Sequence, residues 1–287
     1  MRAARDLKIH DKKEWNIKKL VVFLILLLGS IVLLTPLWWM ISTSLKSPQE
    51  ILQYPPSFFP EHFRFSNYID AWKTGDFTRW SINTLVIAVA STVGNVLINS
   101  FVAYGFAKVR FKGRNILFVL VLSTMIIPGF VTMVPQYILF SKLGWVNTYL
   151  PLIVPAFLGS AFNIFLIRQF MMTVPNEIIE ASIMDGASHF RIWWSIVMPL
   201  VKPALIKVAI FSFTGAWNDL LGPLLYLSDE KLYTLQLGLQ TFKGSVQTQW
   251  NYLMAMSMMV LIPSILIFFM FQRYFIKGSN LSAGMKE

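Results

Sequence analysis

Side chains able to do chemistry are few in this 287-residue chain, and they stand apart from one another. The three histidines, His10, His62 and His189, lack helical ligand spacing, so metal-assisted hydrolysis has no obvious centre, and each reads as a solvated or interfacial imidazole. Cysteine is absent, which removes thiolate metal sites, disulfides and a cysteine nucleophile together. No Gly-Lys-Ser or Gly-Lys-Thr occurs, so the chain has no loop of the kind that cradles the phosphates of ATP. Two polar groupings remain inside apolar sequence. Ser91, Asn95 and Asn99 recur every fourth residue and therefore share one helix face, either towards a path for a polar solute or as hydrogen-bonding glue to a neighbouring helix. Trp217, Asn218 and Asp219 set an indole, an amide and a carboxylate side by side, groups that suit a sugar ring and its hydroxyls but serve equally well as a structural bond between helices. Placed mid-membrane, Asp219 costs roughly 2.5–3.5 kcal/mol, and a single carboxylate makes a poor proton relay.

The elements that position these groups are membrane spans. The chain is 55% hydrophobic and only 14% charged, a balance that calls for lipid as the solvent. Apolar runs fall at Leu20–Ile41, Ser81–Ala107, Ile116–Ile138, Tyr149–Ile167, Ala204–Leu227 and Leu253–Phe271. Each is near the ~17–25 residues needed to cross a hydrocarbon core. They are apolar on every face, unlike the alternating strands of a barrel, and helices satisfy their own backbone in lipid, so the fold class is all-α and polytopic. The first run, at about 22 residues, is too long for the core of a secretory signal and reads as an uncleaved span. Pro128-Gly129 and Pro263 predict kinks in the third and sixth spans. The expected organisation is a tail at 1–19, a membrane domain at 20–276 with an outer loop at 46–80 and an inner loop at 168–202, and a tail at 277–287.

Charge sorts with these segments. Most of the 25 Lys and Arg lie on one side: in the first tail, in Lys108–Arg114, in the inner loop at Arg168, Arg191, Lys202 and Lys207, and at the C-terminus. The positive-inside rule therefore predicts both termini in the cytoplasm. The formal charge of +11 is thus a topological signal, and nucleic acid drops out as a partner. The outer loop mixes Pro55, Pro56 and Pro60 with Phe58, Phe59, Phe63 and Phe65, which suits either an ordered excursion touching a partner or a connector packed on its own bundle.

In the inner loop, Pro175 suits a first helical turn, Glu177 and Glu180 place acid near its positive end, Gly186 breaks the helix, and Ser188 caps a second one towards Pro199. Pro203 restarts the chain as the fifth span. Ile178, Ile179, Ala181, Ile183 and Phe190 give this loop an apolar surface that calls for a protein to dock on. Glu180–Ala187 reads EASIMDGA and is followed by Ile196-Val197-Met198-Pro199, which resembles the EAA signature of membrane subunits of binding-protein-dependent ABC importers. Ser182 stands where a second alanine is usual and Met198 where leucine is usual. Further matches run from Leu45-Lys46-Ser47 to Asn67-Tyr68, through Trp217-Asn218-Asp219 with Pro223-Leu224, to Gln272–Gly278. They resemble the carbohydrate-uptake branch, in particular the second permease of maltose-type and glycerol-phosphate-type importers.

The resemblance implies a type I importer permease in the bacterial inner membrane, without an enzyme site of its own. It implies a partnership with a second, homologous permease as a heterodimer, with two ATP-binding subunits that hold ATP and Mg, and with an external solute-binding protein. Glu180, Ala181, Ser182, Asp185, Gly186, Ala187 and Pro199 would couple to the ATPase, and the C-terminal tail would also reach it. Asn95, Asn99, Trp217, Asn218 and Asp219 are the candidate pathway residues. For Glu180, the alternative is an ordinary first-turn acid worth ~0.3–1 kcal/mol to the helix. The competing classes are a secondary transporter or channel subunit and, more distantly, a membrane-embedded enzyme, which would need clustered acid, base or metal-ligand residues.

Overall fold

A computed structural model describes residues 17–244 and 248–280. Of the expected tails, residues 1–16 and 281–287 lie outside the described residues, and with them the expected reach of the C-terminus to an ATPase. Every regular element among the described residues is helical, apart from an isolated bridge between Lys243 and Thr248. Four helices are long and apolar enough to cross a membrane, and two bent pairs raise this to six if each pair counts as one span.

The first helix, α1 (Ile17–Ser44), contains the expected first span and packs along the last helix. Two short helices, α2 (Pro48–Ile51) and α3 (Ser66–Thr74), build the outer excursion. Next, α4 (Phe77–Lys108) runs unbroken for 32 residues, about 48 Å at 1.5 Å per residue. The third expected span is instead two helices, α5 (Arg114–Ser123, extended by a 3-10 turn to Ile126) and α6 (Gly129–Lys142), meeting at 97°. Pro128 causes this: it forces Ile127 into extended backbone and brings no N–H, so the chain turns rather than kinks. The fourth expected span comprises α7 (Leu150–Ile153), a 3-10 turn to Phe157, and α8 (Ala161–Met172).

The inner loop holds α9 (Asn176–Met184), α10 (His189–Ile192), a π-helical turn (Trp193–Val197) and α11 (Met198–Leu200). It bends by 85° into α12 (Lys202–Trp217). The fifth expected span stops there, ten residues short of Leu227, and at its end the Asn218 amide also turns back onto the Thr214 carbonyl at 2.9 Å. After α13 (Leu221–Tyr226) and α14 (Leu235–Leu239), α15 (Trp250–Asn280) passes Pro263 without a break, so the predicted sixth-span kink does not interrupt it.

Two buried cores are strung along α4. Towards Lys108, Ala103 and Tyr104 meet Ile167, Met171, Ile179, Ile192, Trp193 and Val208. Towards Phe77, α4 meets Ala71, Trp217, Leu239, Leu253 and Met256. Near that second end α4 also holds non-helical backbone. Trp80 Nε1 donates to Glu230 O at 2.9 Å, Asn83 Nδ2 donates to Lys231 O and Tyr233 O, both at 2.9 Å, and Thr84 Oγ1 accepts from Leu235 N at 2.8 Å. Trp80 is fully buried between Gly75 and Gly238, where a β-carbon at either glycine would collide with the indole.

The outer excursion is anchored and presents an apolar surface. Asn67 Nδ2 donates to Ser44 O at 2.8 Å and to Lys46 O at 2.9 Å, and Asn251 Nδ2 donates to Asn67 Oδ1 at 3.3 Å. The Lys46 ammonium is buried over the Trp39 ring and donates to Ser57 O; burial lowers its pKa, and Glu50 nearby opposes the shift. Tyr54, Phe58, Phe59, Phe63 and Phe65 remain exposed. Trp80→Ala is expected to cost about 3–5 kcal/mol and to lower the thermal midpoint of the purified protein by several degrees, whereas Arg79→Ala, at an exposed ion pair, should change stability by less than about 1 kcal/mol. Thermal unfolding of the two variants in detergent is the check.

Candidate functional site

The inner loop folds as a lever. Pro175 sits in extended backbone (φ −58°, ψ 140°) just ahead of α9, one position before the first turn expected of it. The far end of α9 closes as a Schellman motif: Ala187 N donates to Ser182 O at 3.0 Å and Gly186 N to Ile183 O at 2.9 Å. Gly186 has φ +81°, and no atom lies within 4 Å of where its β-carbon would be, so the glycine is required by backbone conformation and not by crowding. Ser188 then caps α10, its hydroxyl accepting from Arg191 N at 3.4 Å.

Only one side chain of α9 is buried. Ile179 enters the core shared with α4, while Ile178, Ala181, Ile183 and Met184 face outwards together with Phe190 of α10. Met184, 87% exposed, is the most exposed of these, and the sequence analysis did not single it out. The available signal was its spacing of three from Ala181 and four from Glu180, which puts all three on one helix side. Ser182 is occupied locally, donating to Ile178 O at 2.6 Å, and Asp185 supplies the C-cap. Pro199 lies exposed in α11.

Two ties join the lever to α4. Lys108 Nζ donates to Val174 O at 2.5 Å and to Asn176 Oδ1 at 2.9 Å, and the Tyr104 hydroxyl lies 3.0 Å from His189 Nδ1. Arg168 donates to Phe106 O at 3.2 Å and stacks over Phe118. None of these ties follows from a local sequence pattern, since each spans fifty residues or more.

Deeper in the bundle, the Ser91, Asn95 and Asn99 stripe meets α7 and α8. Ser91 Oγ donates to Leu152 O at 3.1 Å. Asn99 Oδ1 accepts from Ser160 N at 2.6 Å, and Asn163 Nδ2 donates to Asn95 Oδ1 at 3.2 Å. Asn99 is fully buried and Asn95 partly exposed. The Trp217-Asn218-Asp219 grouping is split by the break after α12. Trp217 is buried, its Nε1 donating to Val260 O at 3.0 Å and its ring stacked on Phe213 at 5.7 Å, so its faces are taken. Asn218 is exposed beside Gln236, whose Nε2 donates to it at 3.3 Å. Asp219, two residues ahead of α13, accepts from Gly222 N at 3.1 Å. Gly222 is wedged between Asp219 and Leu152, so Ser91, Leu152 and Asp219 are drawn to one region beneath the two helix breaks. Among the described residues, no three His, Asp or Glu side chains gather as a metal site.

Asn99→Ala should leave the partly buried Ser160 N–H without its acceptor, at a cost of about 1–3 kcal/mol, while Asn218→Ala at an exposed position should be nearly neutral; paired denaturation curves test the contrast.

Comparisons with known proteins show the family and the fold. Residues 95–279 match the family described as binding-protein-dependent transport system inner membrane component. The arabinooligosaccharides transport system permease protein AraQ of Bacillus subtilis is 32% identical over 94% of this chain and 97% of its own length. The sn-glycerol-3-phosphate transport system permease protein UgpE of Pectobacterium atrosepticum is 33% identical over 88% of this chain and 92% of its own. Among solved structures, a bacterial ABC transporter involved in the import of the acidic polysaccharide alginate contains a chain with the same fold, at a TM-score of 0.80 and 24% identity, covering 95% of this chain and all of that one.

Proposed function

The chain belongs to the inner-membrane components of binding-protein-dependent transport systems, and from that premise we propose that it forms half of the path for a sugar, an oligosaccharide or a related polyol phosphate. The other half comes from a second, homologous permease. Two separate ATP-binding subunits hold ATP and Mg and supply the energy, a solute-binding protein delivers the cargo from outside, and both termini face the cytoplasm with most of the basic residues.

The observation that carries this reading is the lever: a helix ended by a left-handed glycine, presenting Ala181, Ile183 and Met184 outwards while Ile179, Lys108 and Tyr104 fasten it to the longest helix of the bundle. An apolar helix face that its own chain leaves uncovered suits a groove on a partner. Closing the ATPase pair would push α9 and α10. The ties at Lys108 and His189 pass that displacement to α4, which borders the polar region around Asn95, Asn99 and Asp219. Discontinuous backbone at membrane depth is tolerated where protein buries it or where it lines a water-filled cavity, and the breaks after Phe157 and Trp217 flank this region. Asn218 and Asp219 offer it an amide and a carboxylate for a hydroxylated solute, whereas Trp217 is a packing residue.

Two substitutions test the coupling. Gly186→Pro fixes φ near about −65° where the turn needs the left-handed region, and Glu180→Lys reverses a charge on the outward helix. Both variants should insert normally, and both should lower solute uptake on the order of tenfold or more in vesicles while the assembled complex still hydrolyses ATP. Normal uptake by both variants would overturn the coupling assignment. Solute movement by the purified subunit alone, under an ion gradient and without an ATPase, would replace the importer reading with that of a secondary transporter.

A further inference from the structure

The turn between α4 and α5 concentrates positive charge beside the lever. Lys108, Arg110 and Arg114 edge a cleft of about 580 Å³ whose opposite wall is α9, through Asn176, Ile179 and Glu180. A smaller hollow of about 350 Å³ adjoins it at the start of α5, lined by Arg110, Phe111 and Arg114. The cations are poorly neutralised. Arg110 reaches Glu180 only at 3.9 Å, with the two side chains 85% and 66% exposed, and it is the only ion pair at the cleft among the described residues. Arg114 has a long contact to Val109 O at 3.4 Å. Lys108 has Glu177 nearby but spends its hydrogen bonds on Val174 and Asn176. Lys112 adds another exposed charge to the same turn. From this turn α5 runs off with Ile116, Leu117, Val119 and Leu120 exposed along it.

We propose that this cleft seats the phosphate of an anionic phospholipid, gripped by Arg110 and Arg114, with its acyl chains lying along α5. Two observations favour a lipid over a free anion. The aliphatic surface begins where the guanidinium groups end, so one amphiphile satisfies both. The long contact between Arg110 and Glu180 is also weak enough to be exchanged for charge-assisted bonds to phosphate. The cleft borders the face offered to the ATPase: Glu180 and Ile183 line it, whereas Ala181 and Met184 do not. The proposal does not depend on which solute is carried.

Native mass spectrometry of the full-length subunit, isolated and in the assembled importer, provides the test, with dioleoyl-phosphatidylglycerol, dioleoyl-phosphatidylcholine and inorganic phosphate as separate probes. The wild type should retain phosphatidylglycerol in preference to phosphatidylcholine. The R110Q/R114Q variant should weaken that retention roughly fivefold for each charge removed, on the order of 25-fold for the pair. R110K/R114K should keep most of it, and K231Q, in the loop before α14, should match wild type. Equal retention of the anionic lipid by wild type and R110Q/R114Q would overturn the proposal, as would equal binding of the two lipids. Complete displacement by millimolar phosphate would make this a free-anion site, and loss of the lipid only on assembly would assign the cleft to the partner ATPase; either result also overturns it.

Discussion

Every backbone N–H and C=O that leaves a regular helix inside a membrane must find a partner within the protein, and in this chain α4 supplies many of those partners. Along its length Trp80, Asn83, Thr84, Ser91 and Asn99 bond the main chain at Glu230, Lys231, Tyr233, Leu235, Leu152 and Ser160. These acceptors and donors belong to the loops before α14, to the short helix α7, and to the break before α8. A broken span would be costly in lipid, at several kcal/mol for each orphaned group. The polar ladder on α4 makes the breaks affordable, and beside the second break Gly222 packs against Asp219 and Leu152.

That constraint also divides the molecule mechanically. The end of α4 near Phe77 is pinned by the buried Trp80 and by backbone bonds, which leave little freedom. At its other end the connection to the lever runs through a lysine, a tyrosine and a packed core. Two buried polar atoms are exceptions to full pairing among the described residues, Trp193 Nε1 and Ser264 Oγ. Trp193 opens the π-helical turn that links α10 to α11, and contacts with Phe101 and Phe190, at 5.1 and 5.3 Å between ring centres, hold it by packing alone. An indole secured by ring contacts can shift without breaking a side-chain hydrogen bond, and π-helical turns often sit at functional positions.

How much of this the sequence disclosed depended on the range of the interaction. The lever was legible because its determinants are local: Gly186, Ser188 and the acidic first turn act within a few residues of themselves. The apolar segments, which correspond to four spanning helices, or six if each bent pair counts as one span, were legible from length. Their continuity was not. A hydropathy run cannot distinguish a straight helix from two helices at 97°, and the same kind of residue gave opposite outcomes at Pro128 and Pro263, where α15 continues unbroken. The stripe on α4 was read from Ser91 onwards, yet it starts at Trp80, because indole and threonine in an apolar run look like core until their partners some 150 residues away are known. Trp217 failed for the complementary reason: an indole suited to stacking on a sugar is equally suited to stacking on Phe213.

Charge placement extends the logic to the edge of the bundle. Of the basic residues between α4 and α5, Lys108 is tied down by bonds to Val174 and Asn176, whereas Arg110 has a single long contact to Glu180. Glu180 thus stands between two claims, a cation on its own chain and the surface that its helix offers to a partner. At 3.9 Å and well exposed, the pair contributes no more than about 1 kcal/mol, so either claim can win without a large penalty to the fold. The coupling proposed for α9 calls for a weak restraint of its own, and in the structure α9 is fixed through Ile179 and the neighbouring Lys108 while Glu180 is loosely held.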